Sequence, residues 1–201
     1  MDAVALVVRW ILVRRAAIAE LVVVAAALCA LVLALTRWDD RALPWPVTDV
    51  PPCDGFDFPV GPPDAIGYYD AQPFGRNDHL GNDWNGNGGG NTDLGDPVFA
   101  AASGVVIEAI DIGGDWGNVV RIVHACGVES VYAHLDLVNV VRGATVMRGQ
   151  LIGTIGTAHG TYPAHLHFEL RDRPLPLGGG YDDDTTGYLD PTAFIRAHRP
   201  R

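Results

Sequence analysis

The chain has 201 residues and a formal net charge of −10, and its 14 basic side chains are all arginine. That balance excludes a nucleic-acid binder, which needs a basic patch to neutralise phosphates. From Ala42 onward, 9 Arg stand against 20 Asp and Glu, a net of −11, so the part after the leader is an acidic domain.

The first element is apolar. Leu21 to Leu35 is an unbroken run, and Ala16 to Thr36 carries a single charge, Glu20. About 20 residues cross a bilayer core. Arg9, Arg14 and Arg15 precede the run, so the positive-inside rule places the N-terminus in the cytoplasm and everything after Trp38 outside. The expectation is a single-pass membrane protein with its domain extracytoplasmic. A cleaved signal peptide is the alternative, with Ala34-Leu35-Thr36 a poor cleavage site. A lipoprotein signal fits poorly, because bulky Leu28 precedes Cys29.

The expected organisation is a cytoplasmic segment and transmembrane anchor over 1–37, a linker over 38–67, a domain over 68–195 and a tail over 196–201. The linker reading rests on Pro44, Pro46, Pro51, Pro52, Pro59, Pro62 and Pro63, which oppose both helix and central strand. Cys53 and Cys126 lie in the exported part, where disulfides form; they either bridge, clamping the linker to the domain, or remain two thiols.

From Pro97, turn signals recur every 8 to 12 residues between short runs rich in Val, Ile, Thr and Tyr. Strands are predicted over 98–101, 105–112, 118–125, 130–135, 145–147, 151–155 and 166–170, with a short helical turn at 191–198. The pattern predicts an all-β fold of antiparallel sheets, stacked as a sandwich or partly closed as a barrel.

Histidines supply the chemistry. In Ala164-His165-Leu166-His167-Phe168-Glu169-Leu170, a strand turns His165 and His167 to one face. His79-Leu80-Gly81-Asn82-Asp83 offers two more donors if a tight turn aligns them, since Gly81 and Asn82 oppose a helix. Two His and one carboxylate leave a fourth position on zinc for water, the pattern of catalytic sites. His134, ending a strand, is the natural partner for moving the water's proton, although spacing alone does not bring it near His165. The start of a calcium loop is imitated at Asp83–Gly88, but Leu94 stands where a bidentate Glu is needed.

These motifs resemble the LytM/lysostaphin-type zinc metallopeptidases that cut peptidoglycan peptides: HLGND at 79–83, YAHL at 132–135 and HLHFE at 165–169. Framework pieces agree, from Phe74-Gly75-Arg76 through Asp96-Pro97-Val98 and Gly149-Gln150 to Asp190-Pro191, over roughly residues 68 to 195. The resemblance implies one zinc per domain held by His79, Asp83 and His167. It implies His134 and His165 as the pair that activates water and stabilises the tetrahedral intermediate. It implies a structural His124. Glu169 either buttresses the site or is an ordinary strand residue, and the second is the reading expected here. The implied substrate is a peptide cross-link or bridge of bacterial peptidoglycan, and the alternative is a non-catalytic activator of cell-wall hydrolases. Oligomeric state is left open. Two loops depart from the pattern, Asn85–Thr92 and Ala158–Ala164, and both are expected to line the substrate groove.

Overall fold

The computed structural model describes residues 50–178 and 180–200. The apolar run at 16–36 lies outside them. Among the described residues, no helix is long and apolar enough to cross a membrane.

Among the described residues there are ten strands, one short α-helix and two single helical turns, at Gly61–Ala65 and Arg76–Asp78; the strands and the α-helix are β1 (Tyr68–Gln72), β2 (Asn82–Gly86), β3 (Pro97–Phe99), β4 (Gly104–Asp111), β5 (Asn118–Val123), β6 (Glu129–Val138), β7 (Thr145–Val146), β8 (Leu151–Ile155), β9 (Leu166–Arg171), β10 (Tyr188–Leu189) and α1 (Pro191–Ala197). Every pairing is antiparallel. The main path runs β1-β2-β9-β6-β5-β4-β7, with β10 beside β9, β8 beside β6, and β3 beside β8. All-β architecture is as expected, but the sheet is not closed: β1 and β7 end the path and do not pair. α1 begins as its sequence dictates, with Asp190 accepting from the Ala193 backbone N–H and Pro191 at the first turn.

The long strand β6 organises the site. Its first half pairs with β9, from Glu129↔Arg171 to Ala133↔His167. Its second half leaves β9 and pairs with β8 at Leu135↔Ile155 and Val138↔Gly153. The switch occurs at His134, whose φ is +62°. A left-handed histidine costs backbone energy, and such strain gathers at functional positions.

Strand alternation sorts the two faces of the central sheet. Tyr132, Phe168, Leu166, Leu170, Val120 and Ile122 build the main core. On the other face, Val119, Val131 and Ala133 form a small cluster under Trp116 and Leu177. That second face also carries His167, Glu169 and Arg171.

The packed unit starts before Tyr68. Phe56, Phe58 and Val60 from the proline-rich segment are buried in the main core. Phe56 meets Phe194 and Phe58 meets Trp84, each with ring centroids 5.2 Å apart. Arg148 pairs with Asp54 and Asp57, and Arg199 with Asp57 and Asp64. Prolines marked this stretch as a spacer, yet the aromatic residues between them supply burial. Cys53 and Cys126 are disulfide-bonded across a sequence separation of 73, with Cα atoms 5.6 Å apart.

Candidate metal centre

β2 and β9 place Asp83 directly opposite His167. Paired positions bring side chains within reach, and His167 Nδ1 lies 3.0 Å from Asp83 Oδ1. His79 reaches the same point from the turn before β2, its Nε2 3.1 Å from His167 Nδ1 and 3.3 Å from Asp83 Oδ1. The close approach depends on Gly81, where a Cβ would meet the Phe168 carbonyl oxygen at 2.6 Å. Donor atoms of His79, Asp83 and His167 all lie within 4.8 Å of one another.

The outer ring nitrogens decide what these donors can hold. His79 Nδ1 donates to the Gln72 carbonyl at 2.8 Å, and His167 Nε2 donates to Glu169 at 2.9 Å. Each ring therefore turns a lone pair inward, beside a carboxylate oxygen. Two lone pairs and a carboxylate at contact distance repel unless a cation lies among them, and an outer-nitrogen hydrogen bond is how metal-ligating histidines are oriented. With no cation between them, a proton takes its place and the inner nitrogens donate instead: burial opposes a charge on His167, but hydrogen bonds to Asp83 and Glu169 outweigh it and raise its pKa to about 9. Burial likewise opposes ionisation of Asp83, and hydrogen bonds from His167 and His79 overcome it, holding the carboxyl well below the usual range. The donor set thus attracts positive charge and fits a small cation such as zinc.

Behind His167 lies a buried ionic chain that sequence reasoning did not find. Glu169 is fully buried and accepts from both His167 Nε2 and Arg171 Nε, the latter at 2.7 Å. Arg171, also fully buried, lies within 4.0 Å of Glu129, which pairs with Arg121, which pairs with Glu108. Arg121 and Arg171 also donate to the Leu175 carbonyl, fixing the loop after β9. Glu169 is therefore not an ordinary strand residue. The signal was available: positions 165, 167, 169 and 171 alternate onto one face.

His134 and His165 stand next to the cluster, their ring centroids 4.7 Å apart and that of His134 5.5 Å from His167. His165 Nδ1 donates to the Pro163 carbonyl at 2.9 Å, and its Nε2 lies 3.8 Å from Asp83 Oδ1. His134 Nδ1 faces the Trp116 carbonyl at 3.3 Å. Each ring thus keeps Nε2 as its free nitrogen. Burial, then the neighbouring His167 and His165, lower the His134 pKa to about 3. Both rings open into a cleft of about 200 Å³, whose other walls include Gln72, Asp115, Trp116, Tyr162 and Tyr181.

Of the two departing loops, only 158–164 reaches this cleft, through Tyr162. The 85–92 loop instead supports it: Asn91 Oδ1 accepts from the Ala164 N–H at 2.8 Å, and Asn85 donates to the Ala164 carbonyl at 3.2 Å. His124 lies elsewhere, buried between the Ser103 carbonyl and the Ser130 hydroxyl. His159 pairs with Asp111 on the surface, and His198 stacks on Phe194.

Comparison with known proteins gives a consistent picture. The family model described as Peptidase family M23 matches residues 78–178. A DD-carboxypeptidase/endopeptidase Mpg from Neisseria meningitidis serogroup B is 41% identical over 83 residues, 41% of this chain and 19% of that protein. The chain therefore spans about a fifth of that relative. Lipoprotein NlpD from Yersinia enterocolitica is 40% identical over 77 residues, 38% of this chain and 78% of the relative. Among solved structures, the catalytic domain of a prophage-encoded M23 protein, EnpA, from Enterococcus faecalis superimposes with a TM-score of 0.50 at 22% identity, covering 68% of this chain and 95% of that one. That likeness bears on the fold alone.

Proposed function

The chain belongs to peptidase family M23, and on that premise we propose that it is a zinc-dependent endopeptidase cutting peptide cross-links or bridges of bacterial peptidoglycan. One observation carries the reading. Three inward-facing donors, on His79, Asp83 and His167, converge with their outer nitrogens satisfied, beside two further imidazoles that keep Nε2 free.

In this reading His79, Asp83 and His167 hold one zinc ion per domain. Bound there, zinc would supply Lewis acidity and lower the pKa of a coordinated water. The remaining work falls to the protein. The His165 Nδ1 proton stays on the ring, held by its hydrogen bond to the Pro163 carbonyl, so Nε2 is the atom that accepts the proton of the attacking water. The same Nε2 then gives that proton to the leaving peptide nitrogen. His134, in van der Waals range of His165, faces the same space and steadies charge on the carbonyl oxygen in the tautomer that carries its proton on Nε2, from which it donates. Trp116 and Tyr162 wall the cleft and limit water around these groups.

The protein is proposed to work outside the cytoplasm, tethered by its apolar leader. The Cys53–Cys126 bridge supports this, because disulfides persist in oxidising compartments. The test is digestion of purified peptidoglycan by the zinc-loaded chain, with mass spectrometry of released fragments. Peptide-bond cleavage that stops with a chelator and returns with zinc is the expected result. Bound zinc with no cleavage of any wall preparation would move the assignment to a non-catalytic activator of cell-wall hydrolases.

A further inference from the structure

The cleft has a chemical character that the metal site does not require. Asp115 and Trp116 come from the turn between β4 and β5, and Tyr162 from the loop before β9. Asp115 is exposed, and no arginine lines the cleft; the chain has no lysine. Asp115 faces Tyr162 closely enough that, after burial, its charge is the main influence raising the Tyr162 pKa, with a side-chain hydrogen bond between the two adding to it.

The aromatic walls are held in place. The Trp116 carbonyl accepts from the His134 backbone N–H at 3.0 Å, and its ring packs edge-on to His167 at 5.5 Å. The Tyr181 hydroxyl accepts from Gln72 Nε2 at 3.1 Å. A carboxylate with no arginine beside it in the lining, set among aromatic rings, is a combination that recognises an ammonium ion. The carboxylate supplies charge-assisted hydrogen bonds and the rings supply cation–π attraction. Beside Asp115 an anionic substrate group would meet a like charge.

We propose that Asp115 is a specificity-determining residue that selects peptides carrying a free ammonium group near the bond to be cut, seated between the Asp115 carboxylate and the rings of Trp116 and Tyr162. The inference rests on the peptidase reading above and names the substrate class of that site. The ammonium has two chemical sources: the α-amino group of an uncapped peptide, or the unlinked side-chain amine of a diamino acid.

The test uses the full chain and synthetic cross-linked peptides in three forms: unmodified, acetylated at the α-amine, and acetylated at the side-chain amine. For the wild type, capping the amine that Asp115 reads should raise KM roughly fivefold to tenfold with kcat little changed, as expected for one partly solvated ionic and cation–π contact. The form that loses affinity identifies the source. Asp115→Asn should shrink the difference to under twofold, and added salt should shrink it in the wild type. Equal KM values for all three forms, or unchanged discrimination in Asp115→Asn, overturns the proposal and leaves the peptidase reading standing. If the wild type cleaves none of the peptides, the peptidase reading fails, and calorimetric binding of the same peptides decides the inference. Weaker binding of a capped form in the wild type, lost in Asp115→Asn, supports it, and equal binding throughout overturns it.

Discussion

His167 Nε2 donates to Glu169 at 2.9 Å while its Nδ1 faces Asp83 at 3.0 Å, so one carboxylate orients the ring that the other meets in the proposed metal site. Glu169 is in turn fixed by Arg171, and both are fully buried. Glu169→Gln keeps the shape and an acceptor but removes the charge facing His167 and Arg171. Zinc affinity is expected to fall about 10- to 100-fold. Stability should fall too, by up to about 3–5 kcal/mol, because the Arg171 charge loses a buried partner. Competition with a chromogenic chelator and a urea melt measure the two. Unchanged values in both would remove Glu169 from the account.

The disulfide closes a loop with a sequence separation of 73. The chain-entropy model gives about 4 kcal/mol for such a closure, within a usual range of about 2–5 kcal/mol. It also holds in register the segment that brings Phe56 and Phe58 into the core. Replacing Cys53 and Cys126 together by Ser is therefore expected to lower the urea midpoint clearly, and a reducing agent should do the same to the wild type. A midpoint unmoved by either treatment would count against the clamp.

His124 makes stability depend on pH. Burial lowers its pKa from 6.5 to about 4, against a weaker opposing hydrogen bond to the Ser103 carbonyl. A base depressed in the folded state favours the unfolded chain once protons become available. Its contribution is therefore complete above about pH 6.5 and lost as pH falls towards 4, on the order of 3 kcal/mol. Asp70 works the other way: burial raises its pKa from 3.8 to about 6, so its penalty grows as pH rises through that window. Comparing the wild type with His124→Gln isolates the histidine. The wild type should lose about 3 kcal/mol more than the variant between pH 7 and pH 4. Parallel pH profiles for the two proteins would contradict the assignment.

Much of this was legible in the sequence, for identifiable reasons. Leu151–Ile155 is a strand at the predicted bounds, and Glu129–Val138 and Leu166–Arg171 extend the predicted runs by a few residues. β-Branched residues and nearby glycines carry the signal in the first two, and apolar–polar alternation carries it in Leu166–Arg171. β1 and β2 did not register, because Tyr-Tyr-Asp-Ala-Gln and Asn-Asp-Trp-Asn-Gly have weak strand propensity and are held by pairing with each other and with β9. Asp83 became opposable to His167 only through that pairing. The turn residues Asp115 and Trp116 follow no periodicity, so their place in the cleft came from the fold alone. Phe56 and Phe58 were hidden among prolines, whose local effect on the backbone says nothing about what the intervening aromatic rings bury.

The central claim is that metal binding and proton transfer are divided between two sets of histidines. Measuring zinc content and peptidoglycan cleavage together for His165→Ala, with His134→Ala alongside, tests it most directly. Both variants should keep one zinc and the wild-type fold while losing about a hundredfold or more in cleavage rate, whereas Asp83→Ala should lose the metal. Wild-type cleavage by His165→Ala, or loss of zinc from it, would contradict the division of roles.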